Sequence, residues 1–416
     1  MSRPLLARIE RRTPSEVAQD SLIGNSLGAS ERLPPATGKP VAGYPDRMPP
    51  RSHPLPQDAL FDPHTIRVLD LFAGAGGLSE GLRTGDTRFQ TVCAVEMEPR
   101  AAATYAENHP EAHVYAGTIQ DWLQNEAVPP VDVVVGGPPC QGFSALGKQD
   151  ADDERNSMWR HYADAVARAR PKFFVMENVP QFLTSPEFEL LSEMVQPGSP
   201  LEDYDFTATV LNAADYGAPQ LRRRAIVIGY LRSEGAPGLP EKTYGGAAPY
   251  VTVRDAIAAL PPVRPLPAGR ERKQGGKSFA GPFRADELHV TRNYSALSLK
   301  RFAEIPEGGN RFNLPDELKC KAWLGHDTGS GDVMGRLHWD KPSVTIRTEF
   351  TKPEKGRYLH PEESRAITPY EGALLQGFPA DYRFIGSVTE IVKQIGNAVP
   401  IPLGAALGRM LAAKLG

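Results

Sequence analysis

The pattern of hydrophobic and polar positions divides the chain into four parts. From residue 66 to residue 231, short apolar runs of strand length alternate with stretches of helical period. One of these runs, VDVVVGGPP at 131–139, is apolar apart from Asp132, as is typical of a strand buried on both faces of a parallel sheet. This alternation predicts an α/β fold with a doubly wound, mostly parallel sheet and helices on both faces.

The other three parts follow different patterns. Residues 1–65 contain closely spaced prolines and no apolar periodicity, which predicts a disordered tail. Glycine, proline and charged residues dominate 232–345, which predicts a second, smaller domain of irregular and β structure. Regular signals return in 346–416, where the amphipathic stretch 401–416 is expected to pack back on the sheet of the first domain.

Composition narrows the class of protein. The chain has 416 residues and three cysteines, Cys93, Cys140 and Cys320, with no CxxC pair or metal-ligand spacing. These features favour neither a disulfide framework nor a metal site. No apolar run approaches the ~20 residues that span a bilayer, and no secretory signal is visible. A cytoplasmic protein without a membrane partner is therefore expected.

The net charge of −3 conceals a local excess of basic residues between positions 261 and 311. Nucleic-acid enzymes need such a local surface rather than a basic chain overall. A solvated loop-rich surface is an equally good explanation of charge alone. The basic residues are Arg264, Arg270, Arg272, Lys273, Lys277, Arg284, Arg292, Lys300, Arg301 and Arg311.

A glycine-rich loop follows the first predicted strand. The loop reads from Phe72 through Gly74, Gly76 and Gly77 into a predicted helix, and Glu96 ends the next strand. Glycines let a ligand approach the backbone, and an acid about 20 residues later often binds ribose hydroxyls. The pattern predicts a cofactor that contains adenosine and does not separate a dinucleotide from S-adenosylmethionine.

Candidate reactive residues lie at the ends of later strands. Cys140 follows two prolines in GGPPCQGFS, among residues that suit a site better than a core, and its thiolate is a candidate nucleophile. Glu177 ends the strand FFVM, and Arg222 and Arg224 alternate at the start of another strand, so their side chains should share one face. Separately, the acid could be a turn residue and the arginines surface charges.

In combination, these motifs resemble the DNA (cytosine-5) methyltransferase family of the bacterial restriction-modification type. DLFAGAGG, GGPPCQGFS, ENV, QLRRR, RAITPYEGALLQGFP and QIGNAVP occur in the order typical of that family, from about residue 68 to the C-terminus. The resemblance implies a Rossmann-like methyltransferase domain built from 66–231 and 346–416. It also implies that 232–345 is a target-recognition domain.

The resemblance also assigns residues to the cofactor, S-adenosylmethionine. It implies that Phe72, Gly74, Gly76 and Gly77 hold its methionine and adenosine parts. Glu96 would bind both ribose hydroxyls, and Met97 would cover the adenine. Three further residues complete this predicted pocket, namely Pro139, Asn397 and Val399.

The same resemblance implies the chemistry. Cys140 would add to carbon 6 of a cytosine flipped out of double-stranded DNA, and Glu177 would interact with ring nitrogen 3 and the exocyclic amine. Arg222 would hold the base oxygen, and Arg224 would orient Glu177 or a phosphate. Such an enzyme would act as a monomer on a specific sequence in bacterial DNA and protect it from a cognate endonuclease.

Two positions depart from the family pattern. Thr118 stands where the family has an acid that contacts the adenine amino group, and Asp121 could substitute for it. Tyr370 replaces the arginine of the TPRE element. The first departure concerns cofactor binding, and the second concerns how this helix supports the recognition domain.

Three alternative functions fit the sequence less well. An RNA cytosine-5 methyltransferase is disfavoured for two reasons. The tRNA-modifying branch of the same family has a Cys-Phe-Thr element in its variable region, whereas here Lys321 follows Cys320. The unrelated RNA enzymes use two cysteines, and only one cysteine of this chain is well placed. A dinucleotide oxidoreductase fits the glycine loop and leaves GGPPCQGFS, ENV and QIGNAVP unexplained. A non-catalytic DNA-binding relative would not need Cys140, Glu177 and both arginines.

Overall fold

A computed structural model describes residues 64–139, 158–274, 277–325 and 328–416 of the chain. The proline-rich tail predicted for 1–65 therefore lies almost entirely outside the described residues, as does Cys140. The strands are β1 (Ile66–Leu71), β2 (Phe89–Glu96), β3 (His113–Ala116), β4 (Val133–Gly136), β5 (Phe173–Asn178), β6 (Tyr204–Asn212), β7 (Arg223–Leu231), β8 (Glu271–Gln274), β9 (Lys277–Ala280), β10 (Phe283–Arg284) and β11 (Arg383–Phe384). The α-helices are α1 (Gly77–Gly85), α2 (Pro99–Asn108), α3 (Ile119–Asn125), α4 (Met158–Ala169), α5 (Pro186–Met194), α6 (Val253–Ile257), α7 (Ala296–Glu304), α8 (Pro369–Gln376), α9 (Val388–Asn397) and α10 (Ile401–Leu415).

A seven-stranded sheet in the order β3-β2-β1-β4-β5-β7-β6 organises the molecule. The first five strands of that order run parallel, whereas β7 is antiparallel to both β5 and β6. The predicted mostly parallel α/β sheet is confirmed. Strand order reverses on either side of β1, and open sheets of this kind bind ligands beyond the carboxyl ends of the strands at such a point.

The unbroken apolar run of β4 is explained by cores on both faces of the sheet. Val134 packs into one core with Trp122 and Tyr162 of α3 and α4. Val133 packs into the opposite core, which includes Leu82 of α1 and Leu407 of α10. Neighbouring residues of the strand point to opposite faces, so both faces must be apolar when both are covered.

The C-terminal helix α10 lies directly against α1. A Cβ added at Gly81 would come within 2.7 Å of the Cα atom of Gly404, so the two backbones touch at a pair of glycines. A larger side chain at either position would force the helices apart. This contact holds the last residues of the chain on the sheet that α1 covers.

The rest of 346–416 shares a core with part of the predicted second domain. Phe283 and Leu288 pack in one cluster with Phe350, Phe378 and other residues of 346–398. Phe283 also pairs with Phe384 in the short antiparallel ladder between β10 and β11. The predicted second domain (232–345) thus contains small β ladders and short helices. Residues that follow position 345 complete its core.

Among the described residues, no single helix has the length and apolar character required to cross a membrane. The bent pair formed by α9 and α10 meets the requirement by length and composition only. Many residues of both helices are buried in the protein, and α10 packs on the sheet.

Candidate active site

The glycine-rich loop after β1 opens toward free space at Gly74. Phe72 and Gly74 have φ values of 55° and 56°, in the left-handed region that a glycine adopts without strain. A Cβ added at Gly74 would meet no atom within 4 Å. The space that this glycine leaves can therefore be filled by a ligand.

The next two glycines of this loop face protein rather than open space. A Cβ at Gly76 would come within 2.8 Å of the Tyr382 hydroxyl, and one at Gly77 within 2.9 Å of the carbonyl oxygen of Val399. Val399 is buried and lies in the QIGNAVP motif between α9 and α10. The small size of these glycines thus lets the C-terminal motif close over the first loop.

Glu96, at the carboxyl end of β2, is fixed against this loop. Its Oε2 accepts from the N–H of Gly74 at 2.8 Å, and its Oε1 accepts from the N–H of Glu98 at 2.7 Å. Burial raises the pKa of Glu96, and the two backbone donors act against that effect. Each carboxylate oxygen has a second lone pair, so the carboxylate can still accept from two hydroxyl groups.

Three other residues predicted for the cofactor differ in their exposure. Met97, directly after Glu96, is 67% exposed, which is unusual for an apolar side chain. Asn397 ends α9 and is exposed, whereas Pro139 is half-buried after β4. An exposed apolar side chain and a carboxylate thus follow one another in the chain, and the carboxylate is bonded to the open glycine.

A buried polar network supports the loop from below, and sequence reasoning missed it. Asp70, at the end of β1, accepts from the Ser79 hydroxyl at 2.6 Å and the Tyr105 hydroxyl at 3.4 Å. The Tyr105 hydroxyl also lies within hydrogen-bond distance of the hydroxyls of Ser79, at 2.8 Å, and Thr91, at 3.1 Å. Burial raises the pKa of Asp70 to about 7. Ser79 stands where a dinucleotide fingerprint has its third glycine, and this departure was its only signal in the sequence.

Glu177 lies where β5 meets the start of β7. The antiparallel register pairs Asn178 with Ala225, so Arg224 comes directly beside the end of β5. Nε of Arg224 lies 2.6 Å from Oε1 of Glu177, and both side chains are largely buried. Arg224 is thus in contact with Glu177, one of the two groups that it was expected to orient, the other being a phosphate.

The same carboxylate reaches the backbone that leads to Cys140. A Cβ added at Gly137 would come within 2.9 Å of Oε2 of Glu177, three residues before the cysteine. The neighbouring Asn178 donates from its side chain to the carbonyl oxygen of Pro138 at 3.0 Å. The strand end that carries the acid therefore also holds the PPC segment up to Pro139, the last described residue before Cys140.

Arg222 has other partners than the neighbouring pair of Glu177 and Arg224. Its side chain is 3% exposed, and its Nη1 and Nη2 donate to the carbonyl oxygens of Ile346 at 2.8 Å and Gly396 at 3.1 Å. Alternation along the strand predicted that Arg222 would face the site with Arg224. Instead, Arg222 precedes β7 and is covered by two segments that return much later in the sequence.

The two departures from the family pattern have local partners in the structure. The Thr118 hydroxyl caps α3 by accepting from the N–H of Asp121 at 3.1 Å. Tyr370 is buried in α8, and its ring meets the ring of His289 edge to face at 5.9 Å. Tyr370 therefore joins α8 to the predicted second domain (232–345) through a contact between aromatic rings.

A cavity of about 530 Å³ lies between residues of the predicted second domain (232–345) and the segments around α8 and α9. Glu349 is the one acidic residue among the described residues that line it, and it is ion-paired with Lys352 at 2.5 Å. Such a cavity favours an anionic ligand. Its basic lining residues are Arg264, Arg292, Lys352 and Lys393.

Comparison with known proteins places this geometry in one family. The model of C-5 cytosine-specific DNA methylases matches residues 66–413. The type II methyltransferase M1.HphI of Haemophilus parahaemolyticus is 36% identical over 82% of this chain and 86% of its own length. M.XorII of Xanthomonas oryzae pv. oryzae is 33% identical over 82% of this chain and 83% of its own.

A solved structure agrees with these relatives. A prophage-encoded protein from E. coli, described as a DNA modification methyltransferase, superimposes with a TM-score of 0.61 at 25% identity, over 84% of this chain and 99% of its own. The glycine loop with Glu96 and the Glu177–Arg224 pair both lie within the matched residues. The chain therefore belongs to the C-5 cytosine-specific DNA methylases and is a DNA (cytosine-5) methyltransferase related to type II restriction-modification enzymes.

Proposed function

We propose that this enzyme methylates carbon 5 of a cytosine within a specific sequence of double-stranded DNA, using S-adenosylmethionine and a covalent bond from Cys140. The observation that carries the proposal is the position of Glu177. Its carboxylate is paired with Arg224 and lies over Gly137, three residues before the cysteine.

The residues around the glycine loop fit S-adenosylmethionine. The open face of Gly74 leaves room for the methionine part, and Glu96 retains lone pairs for the two ribose hydroxyls. Met97 offers an exposed apolar surface for the adenine. Phe72, Gly76, Gly77, Pro139, Asn397 and Val399 would shape the remainder of this pocket. When bound, the cofactor supplies an electrophilic methyl group on a sulfonium and leaves as S-adenosylhomocysteine.

The protein residues would activate the cytosine for that transfer. The thiolate of Cys140 forms a bond to carbon 6, and the electron pair of the 5,6 double bond makes carbon 5 nucleophilic. Glu177 shares a proton with ring nitrogen 3, where negative charge builds up during the addition. After methylation, a base removes the proton from carbon 5, the double bond re-forms, and the thiolate leaves. Water is the default base.

Arg224 is the arginine better placed to reach the base. Its Nε pairs with Glu177 and its Nη1 donates to the carbonyl oxygen of Arg223, whereas both Nη atoms of Arg222 are bound to backbone carbonyls in the interior. We infer that Arg224 orients Glu177 and also contacts the base oxygen. The resemblance to the family had implied that Arg222 makes this contact. The cytosine must leave the duplex for any of these contacts, at a cost of a few kcal/mol.

The DNA would lie against the second part of the chain, which we infer to be the target-recognition region (232–345). Arg264 and Arg292 of this region line the basic cavity together with Lys352 and Lys393. Phosphate contacts there would position the duplex, and base contacts from the recognition region would choose the site. The relatives M1.HphI and M.XorII are type II methyltransferases, which supports a role in protecting DNA from a cognate endonuclease.

Bisulfite sequencing of DNA from cells that express this chain tests the proposal. Protected cytosines that share one flanking sequence are expected, and the Cys140→Ser variant should protect none. Exchange of 232–345 for the matching region of a relative with another target should move the protection to that target. Full conversion of all cytosines by bisulfite in the wild-type sample would contradict the proposal.

A further inference from the structure

A buried polar cluster joins the chain just before β7 to other segments. It consists of Gln220, Arg222 and Gln376, which are at most 3% exposed. Gln220 accepts from the backbone N–H of Ile346 at 3.1 Å and donates to the carbonyl oxygen of Leu375 at 2.9 Å. Its amide group also donates to Oε1 of Gln376 at 2.6 Å, which joins the two glutamines.

Arg222 and Gln376 extend the cluster to the end of α9. Arg222 binds the carbonyl oxygens of Ile346 and Gly396, and Gln376 donates to that of Ile395 at 2.6 Å. Arg222 and Gln376 therefore bind the C-terminal turn of α9, while Arg222 and Gln220 bind Ile346, so the cluster links the two segments. Asn397 follows directly in the chain and lies in the predicted cofactor pocket.

The segment around Ile346 is where the chain returns from the recognition region. The N–H of Ser343 donates to the carbonyl oxygen of Pro219 at 2.9 Å, and the N–H of Leu221 donates to that of Ser343 at 2.8 Å. The Thr345 hydroxyl donates to the carbonyl oxygen of Leu221 at 2.9 Å. These bonds surround a parallel bridge between Gln220 and Ser343 and end at Leu221, three residues before Arg224, so the returning segment is attached close to the Arg224–Glu177 pair.

Burying these polar side chains costs desolvation free energy, so a contribution to stability alone does not explain the cluster. Arg222 is a cation in the interior whose bonds go to carbonyl groups rather than to a carboxylate, and no described residue accepts from its Nε. Burial lowers the pKa of Arg222 to about 9, which reflects this desolvation. Apolar residues of the same volume are often at least as stabilising at such sites. What polar groups add is a fixed direction for each bond.

We infer that Gln220, Arg222 and Gln376 are positioning residues, which hold the Arg224–Glu177 pair and the end of α9 in register with the segment that returns from the recognition region. This inference rests on the proposed function, because it assigns those groups to the reaction. The side-chain hydrogen bonds of the cluster go to backbone groups and to one another, so we assign the cluster no contact with the base. Its loss should therefore slow the reaction more than it weakens binding.

The test measures kcat, KM for DNA, KM for S-adenosylmethionine and Tm in four variants. Gln220→Leu, Gln376→Leu and Arg222→Lys each remove bonds of the cluster, and Tyr204→Phe is the control. Tyr204 is 2% exposed, and its hydroxyl donates to the carbonyl oxygen of Pro171 at 2.7 Å on the edge strand β6. Gln220→Glu, which keeps an acceptor for the N–H of Ile346, replaces Gln220→Leu if that variant does not fold.

The expected result is a kcat lowered about 100-fold in the cluster variants, the loss associated with ångström-scale misplacement of reacting groups. Each KM should change less than about threefold, and Tyr204→Phe should lower Tm and leave kcat unchanged. Folded glutamine variants with a kcat within about threefold of wild type would overturn the positioning role. A wild-type enzyme that transfers no methyl group to cytosine would overturn the proposed function, and this inference with it.

Discussion

Nε of Arg224 lies 2.6 Å from Oε1 of Glu177, at the point where the start of β7 runs antiparallel beside the end of β5. The two residues are 47 positions apart in the sequence, and only the inserted antiparallel strand brings them together. This pair fixes a carboxylate above the backbone that leads to Cys140, because Oε2 of Glu177 faces Gly137.

Glu177→Gln should lower the single-turnover rate of methyl transfer by about 10²–10⁴-fold, because the amide cannot share a proton with the cytosine ring. Binding of S-adenosylmethionine should be unchanged, since Glu96 and Gly74 lie on other strand ends. Glu187→Gln, at the start of α5, serves as a control of matched chemistry. A Glu177→Gln rate within tenfold of wild type would exclude Glu177 as the proton-sharing group.

Glu96→Gln should weaken binding of S-adenosylmethionine by about tenfold or more, because a hydrogen bond to a charged group contributes about 1.5–3 kcal/mol. The amide keeps the volume of the side chain and loses one acceptor for the two hydroxyls. Isothermal titration calorimetry measures the change, with Glu98→Gln as the control. Glu98 caps α2 and pairs with Arg100, so that variant should bind the cofactor normally; equal losses in both variants would show a general effect on this loop.

Asp70→Asn should change how stability depends on pH. The pKa of Asp70 is raised to about 7, so the folded state retains a proton that the unfolded state loses near pH 4. This contribution is complete below pH 4 and is lost as pH rises toward 7, with a slope of about 1.4 kcal/mol per pH unit. Urea unfolding of wild type and variant between pH 4.5 and 8 measures the difference.

The free-energy difference between wild type and Asp70→Asn should therefore move in favour of the variant from pH 4.5 to 7 and then level off. The comparison cancels other titrating groups, including His360, whose pKa burial lowers to about 4. A difference that is constant across this range would contradict a proton held at Asp70.

Lys393→Ala should weaken binding to all duplexes and reduce the slope of log K against log salt by about one, as expected for one lost phosphate contact. Lys393 lines the basic cavity beside Arg292 and Arg264. Lys414→Ala, in the last turn of α10, removes the same charge away from this cavity and should leave the slope unchanged. Identical slopes for Lys393→Ala and wild type would place the duplex elsewhere.

Local patterns predicted the strand ends that carry the site. β1, β2, β4 and β5 are apolar runs followed by Phe72, Met97, Gly137 and Val179, and parallel strands bring such ends to one edge of a sheet. The hydrogen bond from Gly74 to Glu96 is predictable for the same reason, because the two residues lie at the carboxyl ends of the neighbouring parallel strands β1 and β2. These features depend on residues close to one another in sequence or on the repeating order of the elements.

Contacts between distant segments could not be predicted in this way. Arg222 alternates with Arg224, and its partners Ile346 and Gly396 come from segments 124 and 174 residues later. The buried network of Asp70, Ser79, Thr91 and Tyr105 likewise combines four elements, β1, α1, β2 and α2. The helix α9 was missed although its signal was present, since Ser387 and Glu390 form a capping box and the apolar residues that follow have helical spacing.

The identity of the labelled nucleoside tests the central claim most directly. Double-stranded genomic DNA would be incubated with the wild-type enzyme and S-adenosylmethionine carrying a labelled methyl group, then digested to nucleosides and separated. The account predicts label only in 5-methyldeoxycytidine, and none after reaction with Cys140→Ser under the same conditions. Label in an N-methylated nucleoside, or undiminished 5-methyldeoxycytidine from Cys140→Ser, would contradict it.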